Sequence, residues 1–275
     1  MGEHSTWWNY IPGIAGLEGR LTSFWAGTSF DHALVGLGFS DGQVGLAHVM
    51  TALLVAVLLV AGAYTLKSKT ADLKAAIVPE PKLTVRNFLE LFVEGAYGIM
   101  KDIMGEKAAK YFLPLIGTAG LFIFLSNCFG LLPGFAPPTS NFNTTVACAL
   151  VIFVTTHVYG VKEHGLKYFK HFLGPVTSGP WWIYPGVLAL MLLMLVVEII
   201  SHLARPLSLS IRLAANLTAD HTVVGGFYGL AEKIGGLVAP IPMMLLGVVV
   251  CVVQTLVFCI LSTVYISMAI AHEEH

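Results

Sequence analysis

Charge is scarce in this sequence. Of 275 residues only 11% are Asp, Glu, Lys or Arg, less than half of the roughly 25% carried by a soluble domain. Hydrophobic residues make up 56%, and the mean hydropathy is +0.78. That balance leaves little material for a water-soluble domain and indicates an integral membrane protein. The formal net charge is −1 and no basic block occurs, which argues against nucleic acid as a partner. Cysteine is equally sparse. Cys128, Cys148, Cys251 and Cys259 all fall in apolar segments without C-x-x-C spacing, and read as small buried hydrophobes. No nucleotide motif and no nucleophile–base pair occurs, so neither catalysis nor a cofactor is expected. The tail "HEEH" has the wrong histidine spacing for a zinc helix. The opening "MGEHSTWWNY" lacks the basic and apolar regions of a signal peptide. It fits a myristoylation pattern only formally, and a multi-spanning chain needs no lipid anchor.

What is abundant is apolar length. A spanning helix needs about 20 mostly apolar residues, which Val44 to Leu66, Tyr111 to Leu132 and Phe142 to Val161 supply. Leu83 to Met104 instead interleaves Arg86, Glu90 and Glu94 with Leu83, Phe88, Leu91, Phe92 and Tyr97. Such spacing predicts an amphipathic helix at the membrane surface or against the bundle. Two further segments are too long for upright spans. Trp181 to Leu230 would measure about 75 Å as helix and Gly236 to Ala271 about 54 Å, so both must tilt steeply, kink or break. Pro206 predicts a bend in the first of them. The expected fold is thus an all-α membrane protein in a single membrane domain. It has an outer-face N-terminal segment (1–43), a first span (44–66), an amphipathic helix (83–104), a spanning hairpin (111–161) and a long tilted helical hairpin (181–271).

Orientation follows from Lys and Arg in the loops. Lys67, Lys69, Lys74, Lys82, Arg86, Lys101, Lys107 and Lys110 lie between the first two spans, whereas the linker "PGFAPPTSN" has none and "KEHGLKYFKH" has three. The alternation predicts an outside N-terminus and a cytoplasmic C-terminus.

One stretch contradicts the apolar rule. In "EIISHLARPLSLSIRLAANLTADH", Glu198, His202, Arg205, Ser208, Arg212, Asn216 and Asp220 recur at steps of three and four, which keeps them on one helix face. For His202 and Ser208 taken alone, pairing with neighbouring helices suffices; as members of the seam both are also candidates for proton translocation. Arg212 is harder to place, because an arginine at mid-bilayer depth costs about 2.5–3.5 kcal/mol on insertion scales. Glu198 lies about 21 Å away along the axis and Asp220 two turns on, so neither reaches it on a straight helix. Another part of the chain or another subunit must supply its partner. A carboxylate on a separate protein is the favoured expectation, since the shorter spans and the last long helix contain no acid. Arg205, near the proline, is expected to snorkel toward the cytoplasmic face.

"RPLSLSIRLAANLTADH", followed about 40 residues later by "QTLVFCILSTVYISMAIAHEEH", resembles the a subunit of the F-type ATP synthase membrane sector. The polar "FNTT" opening the third span and the two over-long final helices fit as well. The resemblance implies a non-catalytic, ion-translocating stator subunit in the lipid bilayer of a bacterial inner membrane, beside a c-ring and peripheral-stalk b subunits. It implies two offset aqueous half-channels, each reaching the ring from one side. Arg212, with Ser208 before it and Asn216 after it, matches the family's essential arginine motif; Gln254 matches its glutamine and Glu198 its upstream acid. Arg212 would then promote deprotonation of the ring carboxylate and block leakage between the half-channels. Glu198 would serve the cytoplasmic side, with Asn216, Asp220, His221 and Gln254 on the outer side. The chain departs from many relatives at Ala215, Asp220, His221 and Gly247, so the outer relay is rearranged. A self-contained ion-coupled transporter using Arg212 as counter-charge is the alternative from a different class.

Overall fold

A computed structural model describes residues 6–11, 13–25, 46–69, 84–132, 135–165, 184–234 and 240–270. The linkers 70–83, 166–183 and 235–239, the tail 271–275 and residues 26–45 of the N-terminal segment lie outside the described residues. The elements are a 3-10 turn (Trp7–Tyr10), α1 (Ile14–Trp25), α2 (Ala47–Lys69), α3 (Val85–Gly130), a second 3-10 turn (Pro138–Ser140), α4 (Phe142–His164), α5 (Tyr184–Ile234) and α6 (Pro240–Ile270). The described residues are mostly helical and contain no strand, and five of the helices are long and apolar enough to cross a membrane.

Local chemistry sets the helix starts. Thr84 caps α3 by accepting from the Asn87 N–H, and Asn141 caps α4 by accepting from the Asn143 N–H at 2.9 Å. Lys162 and His164 occupy the last turn of α4, where cations meet the negative end of the helix dipole. Three buried threonine hydroxyls are satisfied within their own helices. Thr156, Thr255 and Thr263 each donate to the carbonyl four residues back, at 2.7–2.8 Å.

The largest difference from the sequence expectation is α3. Gly105, at φ 79° and ψ 165°, breaks the helical backbone, a conformation that costs glycine little. The chain folds back there. Phe88 and Phe92 lie 5.8 and 6.2 Å from the Phe124 ring, while Met100 shares a cluster with Ala109, Phe112 and Ile116. Residues 85–104 therefore run antiparallel to 106–130, against the bundle, which was one of the two placements expected for the amphipathic helix. Leu89 also approaches Gly62 of α2. Arg86, nearly buried, is held by Glu90 at 2.7 Å.

Two clusters tie α3, α4, α5 and α6 together. Phe112 and Ile116 pack on Cys259 and Ile266; Ile123, Ile152, Leu209, Leu213 and Phe258 form the second. The approach of α3 to α6 is close enough that a Cβ on Gly120 would stand 2.6 Å from the Cys259 sulfur. The two ends of the bundle are distinct. At one, the Trp8 indole donates to Thr51 Oγ1 at 3.0 Å and packs edge-on against Phe135. At the other, Tyr111 and Tyr159 share a 2.8 Å hydroxyl contact, Lys162 lies over Tyr159, and Ser267 donates to the Ile103 carbonyl.

Candidate functional site

The helix that carries the polar stripe is continuous. α5 keeps helical backbone from Tyr184 to Ile234, Pro206 included, and Ser210 donates its hydroxyl to the Pro206 carbonyl at 2.7 Å. Leu209, Leu213 and Leu217 recur every four residues and are buried. Ser208, Arg212 and Asn216 sit one residue, or about 100°, round the axis, and all three are exposed. The apolar packing of one row thereby turns the polar row off the bundle.

Polar partners divide the stripe. At its start, His202 Nδ1 sits 3.0 Å from the Glu198 carbonyl and 3.3 Å from the Glu198 carboxylate. The His202 ring meets His157 of α4 at 5.4 Å between centroids. The Arg205 guanidinium lies over the Tyr265 ring of α6 at 5.4 Å, a distance at which the ring face attracts a cation. His157, His202, Arg205 and Tyr265 are partly buried and border one small cavity.

Further along, the Asn216 amide donates to Gln254 Oε1 at 2.9 Å. Gln254 is buried, and its Nε2 has no hydrogen-bond partner among the described residues. Between these two groups stands Arg212. Among the described residues it has no ion pair and no hydrogen bond, and around it Ile211, Ala215 and Ala219 are also exposed. Ser208 is exposed beside it. The backbone of Asp220 and His221 continues α5; their side chains lie outside what is described. The structure thus brings Glu198 to His202 and Asn216 to Gln254, and leaves the guanidinium on an open face. No group of three or more His, Cys, Asp or Glu placed to hold a metal ion occurs among the described residues.

Comparison with known proteins bears on this arrangement. Residues 48–267 match the family described as ATP synthase A chain. The chain belongs to that family. The matched span runs from the second residue of α2 to near the end of α6, so it includes every site residue named above. The chain is 42% identical to "ATP synthase subunit a" of Sorangium cellulosum over 231 residues, 84% of this chain and 85% of that one. It is 42% identical to "ATP synthase subunit a 1" of Syntrophotalea carbinolica over 254 residues, 92% and 95% respectively. With "ATP synthase subunit a" of Geotalea daltonii it shares 42% over 237 residues, 86% and 92%.

His157 and Tyr265 were missed by the sequence reading. A histidine within the apolar run of α4 was a usable signal, because ionisable groups in spanning helices are costly and seldom idle. Tyr265 had no such signal; only the packing of α6 on α5 places it under Arg205.

Proposed function

We propose that this chain is the proton-conducting stator subunit of a rotary ATP synthase, docked through the Arg212 face of α5 against a ring of c subunits. One observation carries the reading: a guanidinium in an apolar helix, exposed and without an ionic partner on its own chain among the described residues. A cation so placed is costly in lipid, and a carboxylate on a neighbouring protein removes that cost.

The chemistry follows from the charge. Arginine stays protonated at any physiological pH, so it stabilises the ionised form of an approaching ring carboxylate and lowers its pKa. The carboxylate then releases its proton. Arg212 cannot pass that proton on, so it separates the two half-channels. Glu198 and His202 line the cytoplasmic side. Asn216 and Gln254, with Asp220 and His221, line the outer side; the buried Gln254 Nε2 is a donor able to hold a carboxylate in place. The basic end of the bundle, with Lys162 and Lys110, is cytoplasmic by the loop-charge rule, which puts the N-terminus outside and the C-terminus inside. The membrane is a bacterial inner membrane and the b subunits of the peripheral stalk hold the chain still. ATP chemistry belongs to other subunits.

The test is ATP-driven proton pumping in vesicles that carry the complete complex. Arg212→Ala is expected to assemble normally and to abolish pumping. Normal pumping by an assembled Arg212→Ala complex contradicts the reading, and solute uptake by the purified chain alone would favour a self-contained transporter.

A further inference from the structure

We infer that His157 on α4 is a proton carrier on the cytoplasm-side path and exchanges protons with His202, an inference that rests on the stator reading above. His157 lies seven residues before the end of α4, in a span otherwise apolar or hydroxylic over Ala147–Thr156. His202 is ten residues from Arg212, about 15 Å along α5 toward the same basic end. The pair therefore stands between the level of Arg212 and the end that carries Lys162. Its two rings come from different helices, inclined at 70° with centroids 5.4 Å apart, so the packing of α4 on α5 creates it.

Each ring is anchored in the same way. His157 Nδ1 is 2.8 Å from the Phe153 carbonyl, and His202 Nδ1 is 3.0 Å from the Glu198 carbonyl. A carbonyl only accepts, so in the neutral ring Nδ1 carries the proton and Nε2 the lone pair. A proton that binds Nε2 makes an imidazolium. Its release from the same Nε2, to the other ring or to a bridging water, restores the starting tautomer without a ring flip. The rings border a cavity of about 20 Å³ shared with Thr156, Arg205, Pro206 and Tyr265, which is room for one water molecule. Among the described residues, Glu198, Arg205 and Tyr265 face the pair. The Glu198 carboxyl lies 3.3 Å from His202 Nδ1, and the Arg205 guanidinium lies over the Tyr265 ring of α6.

The experiment measures passive proton conduction through inside-out vesicles that carry the complete membrane sector, as the cytoplasm-side pH is stepped from about 5.5 to about 8.5 across the histidine range. The unmodified complex is expected to show a step within that range. His157→Asn keeps a donor for the Phe153 carbonyl but cannot titrate. At matched subunit content it is expected to lose the step and to conduct roughly tenfold more slowly. His157→Glu restores a titratable group, moves the step to more acid pH and recovers part of the rate. The His157→Asn/His202→Asn double variant is expected to be no slower than the slower single one, as two groups in series require. A flat profile in the unmodified complex overturns the inference, and that arm needs no substitution. So does an unchanged rate and step in assembled His157→Asn. ATP-driven pumping that survives Arg212→Ala in an assembled complex sinks the stator reading instead, which keeps the two failures apart.

Discussion

Two arginines seven residues apart on the same helix have opposite surroundings. Arg205 is half-buried over the Tyr265 ring, next to His202 and Glu198. Arg212 is exposed and has no ionic partner among the described residues. The chain therefore answers one cation itself and leaves the other for something outside it. A helix that only needed polar glue would treat both alike, because each unpaired charge in lipid costs about 2.5–3.5 kcal/mol or more. The proposed function turns on that difference, with Arg205 part of the bundle and Arg212 left for an interface.

Substitutions can break or sharpen that contrast. The largest effect is expected for Arg212→Ala, which should take ATP-driven pumping below detection while the subunit stays in the complex, as read by immunoblotting of purified complexes. Phe258→Ala should act through the framework. It empties a fully buried site where α3, α4 and α5 meet α6 and should cost about 3–5 kcal/mol of stability, visible as reduced heat resistance of the detergent-solubilised complex. Gln254→Leu frees the Asn216 amide and removes the unpartnered Nε2; pumping should fall several-fold with assembly intact. Arg205→Gln should behave as a structural change, losing about 1 kcal/mol of cation–π attraction. Tyr265→Leu should produce a similar drop in heat resistance, and the double variant should be no worse than either alone. Lys110→Ala is the smallest change. The Lys110–Glu106 pair is fully solvated, and exposed pairs contribute little, so neither heat resistance nor pumping should move.

Much of the fold was legible because the bilayer imposes length. Apolar runs of about 20 residues give α2 and α4 within a few positions, and the over-long final segments correspond to α5 and α6. The fold-back in α3 was not legible. Gly105 is one of many glycines in an apolar chain, and nothing in "IMGEKA" distinguishes a reversal from an ordinary helical glycine; the aromatic contacts of Phe88 and Phe92 with Phe124 decide it. In the site, the spacing of Glu198, His202, Ser208, Arg212 and Asn216 placed them on one helix face, since periodicity reports geometry within a helix. It cannot report which helix packs where. The Asn216–Gln254 bond spans 38 residues, and both the His157–His202 contact and the Arg205–Tyr265 stack join separate helices.

The central claim is that the Arg212 face of α5 meets a carboxylate-bearing ring. In a background with Cys128, Cys148, Cys251 and Cys259 replaced, single cysteines at Ser208, Ala215 or Ala219 flank Arg212 on exposed positions, whereas Leu209 and Leu213 point into the bundle. Oxidative crosslinking to a cysteine one turn from the ring carboxylate tests the claim in intact membranes. The account predicts a-to-c products from the three exposed positions and none from Leu209 or Leu213. Products from the inward positions, or none from any exposed one in an assembled and pumping complex, would contradict it.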